Sequence, residues 1–287
     1  MAVTTGAIAQ VTLSGGISMG WESNTVAAGT STTGFGTQDA FVKFDASEDL
    51  GGGLKVTSSF FIESITEGDT PDGGDAILTL SGGFGALTLS SADAGDFLPV
   101  DGLTLSSEGA SLDRFTYTLP TLVPGLAVAL TAHDGDLSAT GDATSGNGIT
   151  TIATTYTTGP IKGEFNYSNY SVDTTDTKVQ YAGTYDFGVA KVRYGVTKLS
   201  YPVSTGTSDI TESGLTITVP VSSDLTVTLA SAKAKTSTVA ARSGSSLNVK
   251  YALSKRTNVS LYTESYTATA GDVSKTKETI LKMNHSF

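Results

Sequence analysis

The chain has 287 residues, a formal net charge of −11 and a pI near 4.5, and no cysteine. The absence of cysteine excludes disulfides, thiolate metal sites and cysteine nucleophiles, and the two histidines are too few for a multi-histidine metal centre. The acidic charge argues against nucleic acid as a partner, because nucleic-acid binding needs a lysine and arginine footprint. Charged residues are scarce, at 16%, and no apolar run approaches the roughly 18 residues that would indicate a transmembrane helix.

Apolar and polar residues alternate in chain order along nearly the whole sequence. The alternation begins at Val11, Leu13, Ile17, Met19 and Trp21, and continues in AFVKFDASEDLGGGLKVTSSFFIES, which spans residues 40–64. Side chains on a strand point to opposite faces at every second residue, so this stretch predicts a hairpin with one apolar face and one polar face. Further strands are predicted by the same period within 161–168, 178–186, 191–197, 215–221, 225–229, 247–253 and 281–287.

The connectors between these segments alternate between short turns and long polar loops. Short turns are predicted at 48–53 and 120–125, and long loops at 22–38, 67–75 and 92–113. In all, seven short turns and eight long loops are predicted, which requires about sixteen strands, at roughly 18 residues per strand and its connector. No linker interrupts the series, so residues 1–287 are predicted to form a single domain.

Alternation alone also fits a soluble β-sandwich, whose apolar face is buried and whose polar face is wet. Three features favour a transmembrane antiparallel β-barrel. Short turns and long loops segregate to opposite ends, as in outer-membrane barrels, and the polar faces carry too little charge for full exposure. In the last strand, Leu281, Met283, His285 and Phe287 alternate with polar residues up to the end of the chain, which suits closure of a barrel without exposed edges.

Several segments resemble the trimeric general porins of Gram-negative bacteria, and in particular the β-proteobacterial type. FVKFDASEDLGGGLKVTSSFFIE is similar to their second and third strands, and LSGGFGALTLSSADAG to the region leading into their third loop. DRFTYTLPTLVPGLAVALTAHDGD is similar to the strand pair after that loop. YALSKRTNVSLYTESY and LKMNHSF are similar to the penultimate hairpin and the final strand, and the terminal Phe287 resembles an outer-membrane targeting signature.

The resemblance implies a sixteen-stranded homotrimeric porin in the bacterial outer membrane, in contact with the lipid bilayer and lipopolysaccharide. It would allow passive diffusion of small hydrophilic solutes and ions, without catalysis or a cofactor. The third long loop, residues 92–113, would fold inward and narrow the pore. Loop acids opposite basic wall residues would create a transverse field; the loop candidates are Asp93, Asp96, Asp101 and Glu108, and the wall candidates are Lys43, Lys55 and Arg114.

The sequence departs from the family in ways that bear on selectivity. It contains only four arginines, and the Pro-Glu-Phe-Gly-Gly motif of the enterobacterial inner loop is replaced by GDFLPVDG. Strong anion selectivity is therefore not implied. Acidic pore mouths would concentrate cations and lysines on the wall would oppose them, so we expect weak selectivity and leave its sign open.

The aromatic residues support the barrel only in part. Trp21, Tyr156, Tyr185 and Phe187 are predicted near strand ends, where interfacial girdles belong. The alternation places Phe41 and Phe61 on the polar, interior face. Packing beneath the inner loop would account for this position, and so would a bulge in SSFF that shifts the register.

Two further interpretations follow from particular residues. His133 beside Asp134 and Asp136 could imitate a catalytic His–Asp pair, although a loop histidine among acids is much commoner. The stretch EGDTPDGGD offers Glu67, Asp69, Asp72 and Asp75 as a weak Ca²⁺ site, without EF-hand spacing.

A substrate-specific channel and a non-conducting, β-rich surface or adhesive protein stay open as alternatives. The N-terminus lacks a signal peptide, so we interpret the sequence as a mature chain; the competing interpretation is a cytoplasmic protein.

Overall fold

The computed structural model describes residues 10–26, 29–66, 70–93, 96–99, 111–134, 148–171, 177–201, 209–236, 241–267 and 275–287. These residues form sixteen strands, numbered in chain order. They are β1 Gln10–Thr25, β2 Ser31–Gly51, β3 Leu54–Glu63, β4 Asp72–Gly82, β5 Gly85–Asp93, β6 Ser111–Thr118, β7 Leu126–Asp134, β8 Ile149–Thr158, β9 Ile161–Tyr170, β10 Thr177–Asp186, β11 Lys191–Ser200, β12 Ile210–Pro220, β13 Leu225–Thr236, β14 Arg242–Ala252, β15 Thr257–Tyr266 and β16 Thr276–Ser286.

Each strand pairs antiparallel with its sequence neighbours, and β1 pairs with β16 to close the barrel. The closing seam continues past β16, because Phe287 N donates to Gly15 O at 3.0 Å and Gly15 N donates to Phe287 O at 3.3 Å. Each strand of the described barrel therefore has a hydrogen-bonded neighbour on both sides, and the sheet has no edge strand. A membrane requires this because lipid cannot satisfy backbone polar groups. The prediction of an all-β, antiparallel barrel of about sixteen strands is confirmed.

The strand alternation divides the wall into an apolar outer face and a polar inner face. The outward side chains remain exposed in the isolated chain; they include Leu13, Leu78, Leu130, Leu229 and Met283. The inward face is rich in hydroxyl groups that bond across strands, such as Thr79 with Thr88 at 3.0 Å and Thr116 with Thr131 at 3.0 Å. The barrel therefore has the inside-out polarity of a protein solvated by lipid.

The predicted long loop over residues 22–38 is wrong. The strands β1 and β2 pair as far as Thr25 and Ser31, which leaves only a short connector between them. The Ser, Thr and Gly composition of residues 22–38 suggests a loop, but these residues extend both strands. At the end of the pair, Thr25 Oγ1 and Ser31 Oγ are hydrogen-bonded at 2.9 Å. The predicted loop over 67–75 is also too long, because β4 begins at Asp72.

Register irregularities occur at three places in the pairing of β1 with β2, β2 with β3 and β3 with β4. The pairing shifts between Ser18 and Met19, between Asp49 and Gly51, and between Phe60 and Ile62. The last lies within the predicted bulge of SSFF, but the alternation of β3 resumes beyond it. Among the described residues, no helix is long and apolar enough to cross a membrane.

Candidate functional site

The bore of the barrel carries the charged side chains that the alternation predicts. The strand register directs the following residues inward: Lys43, Lys55, Lys162, Lys178, Lys191, Arg193, Lys250, Lys282, Asp45, Glu63, Glu164 and Asp186. Several of them form ion pairs. Lys43 contacts Asp45 at 3.0 Å, Lys191 contacts Asp186 at 3.4 Å, and Glu164 contacts both Lys162 at 3.0 Å and Arg193 at 3.2 Å.

A short segment between β5 and β6 lies against the inner face of the opposite wall. Arg193 Nη1, on β11, donates a hydrogen bond to Phe97 O at 2.8 Å, and the guanidinium carbon lies 4.7 Å from the centre of the Phe97 ring. Leu98 is 4% exposed. Six strand positions separate β5 from β11 around the barrel, so residues 96–99 reach across the bore.

The wall accommodates this segment because its side chains there are small. The register aligns five inward positions on adjacent strands, from β10 to β14: Ala182, Gly195, Gly214, Ala232 and Gly244. A Cβ atom at Gly195 would lie 3.3 Å from Leu98 Cδ2, and one at Gly214 would overlap Pro99 Cδ. We call these five residues the small-residue seat. Larger side chains at its centre would displace the segment.

Arg193 contacts both the wall of the barrel and the inner segment. Its Nε donates to Glu164 Oε2 at 3.2 Å, while Nη1 holds Phe97 O and the guanidinium plane faces the Phe97 ring. Lys162 Nζ donates to the other carboxylate oxygen of Glu164 at 3.0 Å. The charge of Arg193 is therefore compensated by Glu164, and the side chain acts as a strut between the wall and the segment.

The predicted wall residues lie at different heights along the bore. Lys43 is paired with Phe61 across β2 and β3, whereas Lys55 is paired with Asp49 beside the short turn. Six residues of β3 separate Lys55 from Phe61, which corresponds to about 20 Å along an extended strand. Arg114 faces the bore between Ser90 and His133, and its Nη2 donates to Ala92 O at 2.5 Å. The three residues do not form one cluster.

The two aromatic residues on the interior face are placed as the alternation predicts. Phe41 and Phe61 meet edge to face with ring centres 5.9 Å apart, and Lys43 Nζ lies 5.3 Å from the centre of the Phe61 ring. A lysine over an aromatic face is attracted by the ring quadrupole. These phenylalanines therefore support Lys43, on the wall formed by β2 and β3.

The predicted acids of the inner loop are only partly described. Asp96 is exposed and directly precedes Phe97. Asp93 is the last residue of β5, where only its backbone is described, and Asp101 and Glu108 lie outside the described residues. The acidic side of the predicted transverse field stays a prediction.

The weak Ca²⁺ candidates are divided between β4 and the connector before it. Asp72 and Asp75 lie on β4, and Asp72 Oδ1 accepts a hydrogen bond from Gly73 N at 2.8 Å. Glu67 and Asp69 lie outside the described residues. Within the part of the chain that the structure describes, no group of three or more acidic, histidine or cysteine side chains is arranged to hold a metal ion.

His133 belongs to the bore wall. Its Nε2 lies 3.3 Å from Thr151 Oγ1, and Thr151 in turn bonds to Ser168 at 2.8 Å. Asp136 lies outside the described residues. The contacts that are described belong to a hydroxyl ladder on the wall.

The C-terminal residues lie on the outer face of β16 and at its end. Leu281, Met283 and Phe287 are about half exposed in the isolated chain, and His285 Nδ1 lies 2.9 Å from Thr257 Oγ1 on β15. These positions suit contact with lipid and closure of the barrel. The targeting role of the same residues stays a prediction.

Sequence reasoning identified Arg193 as a bore charge but missed its contact with the inner segment. It also missed Gly195, Gly214, Leu98 and Pro99. The signal in the sequence is weak: Gly195 and Gly214 fall at inward-facing positions of the alternation, where bulky polar residues are more usual. Only the strand register shows that the two glycines are opposite each other.

A closed barrel of sixteen strands, apolar outside and charged inside, defines a channel-forming outer-membrane protein. The family model for Gram-negative porins matches residues 1–271. The chain belongs to the Gram-negative porin family, and forms a water-filled outer-membrane channel for the passive diffusion of small hydrophilic solutes and ions.

Solved structures of other porins share this fold. The anion-selective porin from Comamonas acidovorans is 20% identical, with a TM-score of 0.74 over 98% of this chain and 100% of that chain. A variant of the Rh. blastica porin is 14% identical, with a TM-score of 0.69 over 97% and 100%. The trimer form of OmpT from Vibrio cholerae is 12% identical, with a TM-score of 0.70 over 97% and 99%. No curated protein matches the sequence.

Proposed function

We propose that the chain is a general diffusion porin whose narrowest section is formed by the connector between β5 and β6. The observation that carries this proposal is the contact of Phe97 with Arg193, together with the packing of Leu98 and Pro99 on the small-residue seat. A segment held across the bore reduces the open cross-section and fixes which solutes pass.

The polarity of the wall supports weak ion selectivity. Inward lysines are numerous, but Lys43, Lys162 and Lys191 each have a carboxylate partner. Such pairing lowers the net field that a permeating ion experiences. The Comamonas acidovorans porin is anion-selective; here we propose a mild preference, set by Lys43 and by the acids of residues 92–113, including Asp93, Asp96, Asp101 and Glu108.

We further propose that the chain acts as a homotrimer in the outer membrane and has no catalytic activity. The OmpT structure is a trimer form, and the described barrel exposes many large apolar side chains on its exterior, which suits both lipid and neighbouring copies. Lipopolysaccharide and the lipid bilayer would be its surroundings. No bound cofactor is required for diffusion through a water-filled bore.

Planar-bilayer recording tests the proposal most simply. The purified protein is expected to insert in discrete conductance steps, with closures in groups of three for a trimer, and to give a reversal potential of only a few millivolts in a salt gradient. Liposome swelling with sugars of increasing size should show a gradual cut-off. Saturable uptake of one solute would instead identify a substrate-specific channel, and a protein that adds no conductance would refute the proposal.

A further inference from the structure

Threonines form a continuous row across the inner face of neighbouring strands from β3 to β8. On each pair of adjacent strands in this sector, the register places one inward threonine directly opposite the next. The six residues, which we call the threonine row, are Thr57, Thr79, Thr88, Thr116, Thr131 and Thr151. All six are half-buried, so part of each side chain stays accessible from the bore.

The threonine row runs obliquely along the bore, because it is perpendicular to strands that are tilted relative to the barrel axis. Its first member, Thr57, lies near the short turn between β2 and β3, and its last member, Thr151, lies near the connector between β7 and β8. Adjacent members are about 4.8 Å apart, which gives the row a length of about 24 Å. This spacing is close to the length of one hexose unit in a linear oligosaccharide.

The hydroxyl groups of the row keep hydrogen-bonding capacity for a solute. Thr79 is bonded to Thr88 at 3.0 Å, and Thr116 is bonded to Thr131 at 3.0 Å. A hydroxyl group has one donor and two acceptor sites, so each bonded pair retains one donor and several acceptors. The hydroxyl groups of a sugar have the same dual character. The row therefore complements a neutral, polyhydroxylated solute better than it complements an ion.

A cavity opens beside the row at the end that carries the short turns. Its volume is about 270 Å³, and its lining includes Gln10, Asp45, Ser47, Thr57 and Ser59. Ser59 Oγ is buried and has no hydrogen-bond partner within the part of the chain that the structure describes. A buried hydroxyl group without a partner costs free energy that a bound polar solute would recover. The cavity has room for a single sugar ring with polar groups around it.

The opposite wall of the bore interrupts its threonines with charged residues. Thr184 lies between Lys162 and Arg193 in the register, and Thr218 is opposite Lys191. Thr218 and Thr228 form a bonded pair at 3.4 Å, but the next inward position beyond Thr228 is an asparagine. The wall from β9 to β14 thus has paired hydroxyl groups without a continuous row, which makes it a natural reference for the opposite side.

We propose that the threonine row and the cavity beside Thr57 bind linear, neutral, polyhydroxylated solutes, of which short oligosaccharides are the best fit. One sugar ring occupies the cavity, and the following rings exchange hydrogen bonds with successive threonines. Because every member of the row offers the same hydroxyl chemistry, the binding is weak and extends over this class of solute rather than selecting one sugar. This inference rests on the proposed function as an open, water-filled channel.

The test measures how maltohexaose, a linear hexasaccharide of glucose, blocks the single-channel current in potassium chloride. The row variant is Thr116→Val with Thr131→Val, and the matched control is Thr218→Val with Thr228→Val on the opposite wall. Replacing both members of a bonded pair by side chains of the same shape leaves no unpaired partner. Folding of each variant is checked by heat-modifiable migration, and Thr116→Ala with Thr131→Ala replaces the row variant if valine prevents folding.

Two further comparisons separate hydrogen bonding from bore size. Thr116→Ser with Thr131→Ser keeps both hydroxyl groups and should restore the parent behaviour. Polyethylene glycol of similar mass has ether oxygens along its chain, which accept but do not donate. Its block should therefore depend on the bore size and stay within about twofold of the parent in all variants.

The proposal predicts that the half-blocking concentration of maltohexaose rises at least about fivefold in the row variant, because two hydroxyl contacts are lost. It should change less than about twofold in the control. An unchanged value in the row variant, an equal rise in the control, or a parallel rise with polyethylene glycol would overturn the inference. Open parent channels that maltohexaose does not block would overturn it while leaving the proposed function intact, whereas a parent protein that forms no channel would refute both.

Discussion

The two walls of the bore use their basic residues differently. On the side of β9 to β12, Arg193 is enclosed by Glu164 and Phe97 and holds residues 96–99 in place. On the side of β2 and β3, Lys43 has one carboxylate neighbour, Asp45, and both side chains keep about a third of their surface open to water. A charge in a channel can therefore serve the structure on one wall and act on permeating ions on the other.

The difference follows from the neighbouring side chains. Behind Arg193, the small-residue seat leaves room for a chain segment, whereas the wall behind Lys43 is filled by Phe41 and Phe61. A hydrogen bond to a charged group contributes about 1.5–3 kcal/mol and a cation–π contact about 0.5–2 kcal/mol. Those contributions offset part of the conformational entropy lost when a short segment is ordered, and the packing of Leu98 and Pro99 on the seat adds to them. An exposed pair such as Lys43 and Asp45 is worth about 1 kcal/mol or less.

The largest effect is expected from filling the seat. Gly214→Leu places a side chain where Pro99 packs, so residues 96–99 must move into the bore. Single-channel conductance should fall to roughly half of the parent value, because the open cross-section shrinks. Gly183→Leu is the matched control, since a Cβ at Gly183 meets nothing within 4 Å. Equal conductance for both variants would contradict the packing of Pro99 on the wall.

The next effect is expected from removing the strut. Arg193→Ala abolishes the bond to Phe97 O and the ring contact, so the segment should move more freely. Open-channel noise should increase severalfold, with a rise in mean conductance of the order of a fifth. Arg193→Lys keeps the charge but loses the planar, bidentate geometry of the guanidinium. Its conductance should therefore lie between that of the parent and that of Arg193→Ala. A lysine variant that behaves like the parent would show that charge alone suffices.

A smaller effect is expected on the opposite wall. Lys43→Gln removes a charge that faces open water, so the reversal potential in a tenfold salt gradient should shift towards cation preference by roughly 5–10 mV at unchanged conductance. Lys55→Gln should shift it less, because Lys55 lies beside the short turn between β2 and β3. Equal shifts in the two variants would place the selective section away from Lys43.

The smallest effect is expected from Glu164→Gln. The amide keeps a hydrogen-bond acceptor for Arg193 but leaves Arg193 and Lys162 without a counter-charge. The bore gains net positive charge, so a slight shift towards anion preference is expected, at most about half the size of the Lys43→Gln shift. Salt-gradient recordings of the two variants on the same day provide the comparison. A shift of the opposite sign would contradict the inward placement of Glu164.

The fold could be predicted largely from the sequence, because the alternation of apolar and polar residues along a strand shows directly which face of the sheet each side chain occupies. Val192, Tyr194 and Val196 alternate with Lys191, Arg193 and Thr197, and this pattern alone predicts the outer face for the first three and the bore for Arg193. The extent of β1 and β2 was not predictable, since Ser, Thr and Gly favour loops by composition yet complete a ladder once their partners are present. The amino-acid composition of a segment does not show which strand that segment will pair with.

The site was less predictable for a similar reason. Arg193 and Phe97 are 96 positions apart in the chain, so no local pattern connects them. The glycines of the seat gain their meaning only from the register that places Gly195 opposite Gly214. Lys43, in contrast, depends only on the face of its own strand. The features that the sequence did not predict are those that depend on contacts between residues far apart in the chain.

A cysteine cross-link tests the central claim most directly, and the absence of native cysteine makes it unambiguous. Leu98→Cys is combined with Gly195→Cys on the inner face of β11, or with Gly183→Cys on the outer face of β10 as a control, and each pair is treated with a short dithiol-bridging reagent. If residues 96–99 cross the bore to the small-residue seat, the first pair should bridge in the folded protein, with conductance near the parent value and reduced noise. Bridging of the control pair, or failure of the first pair to bridge, would contradict the account.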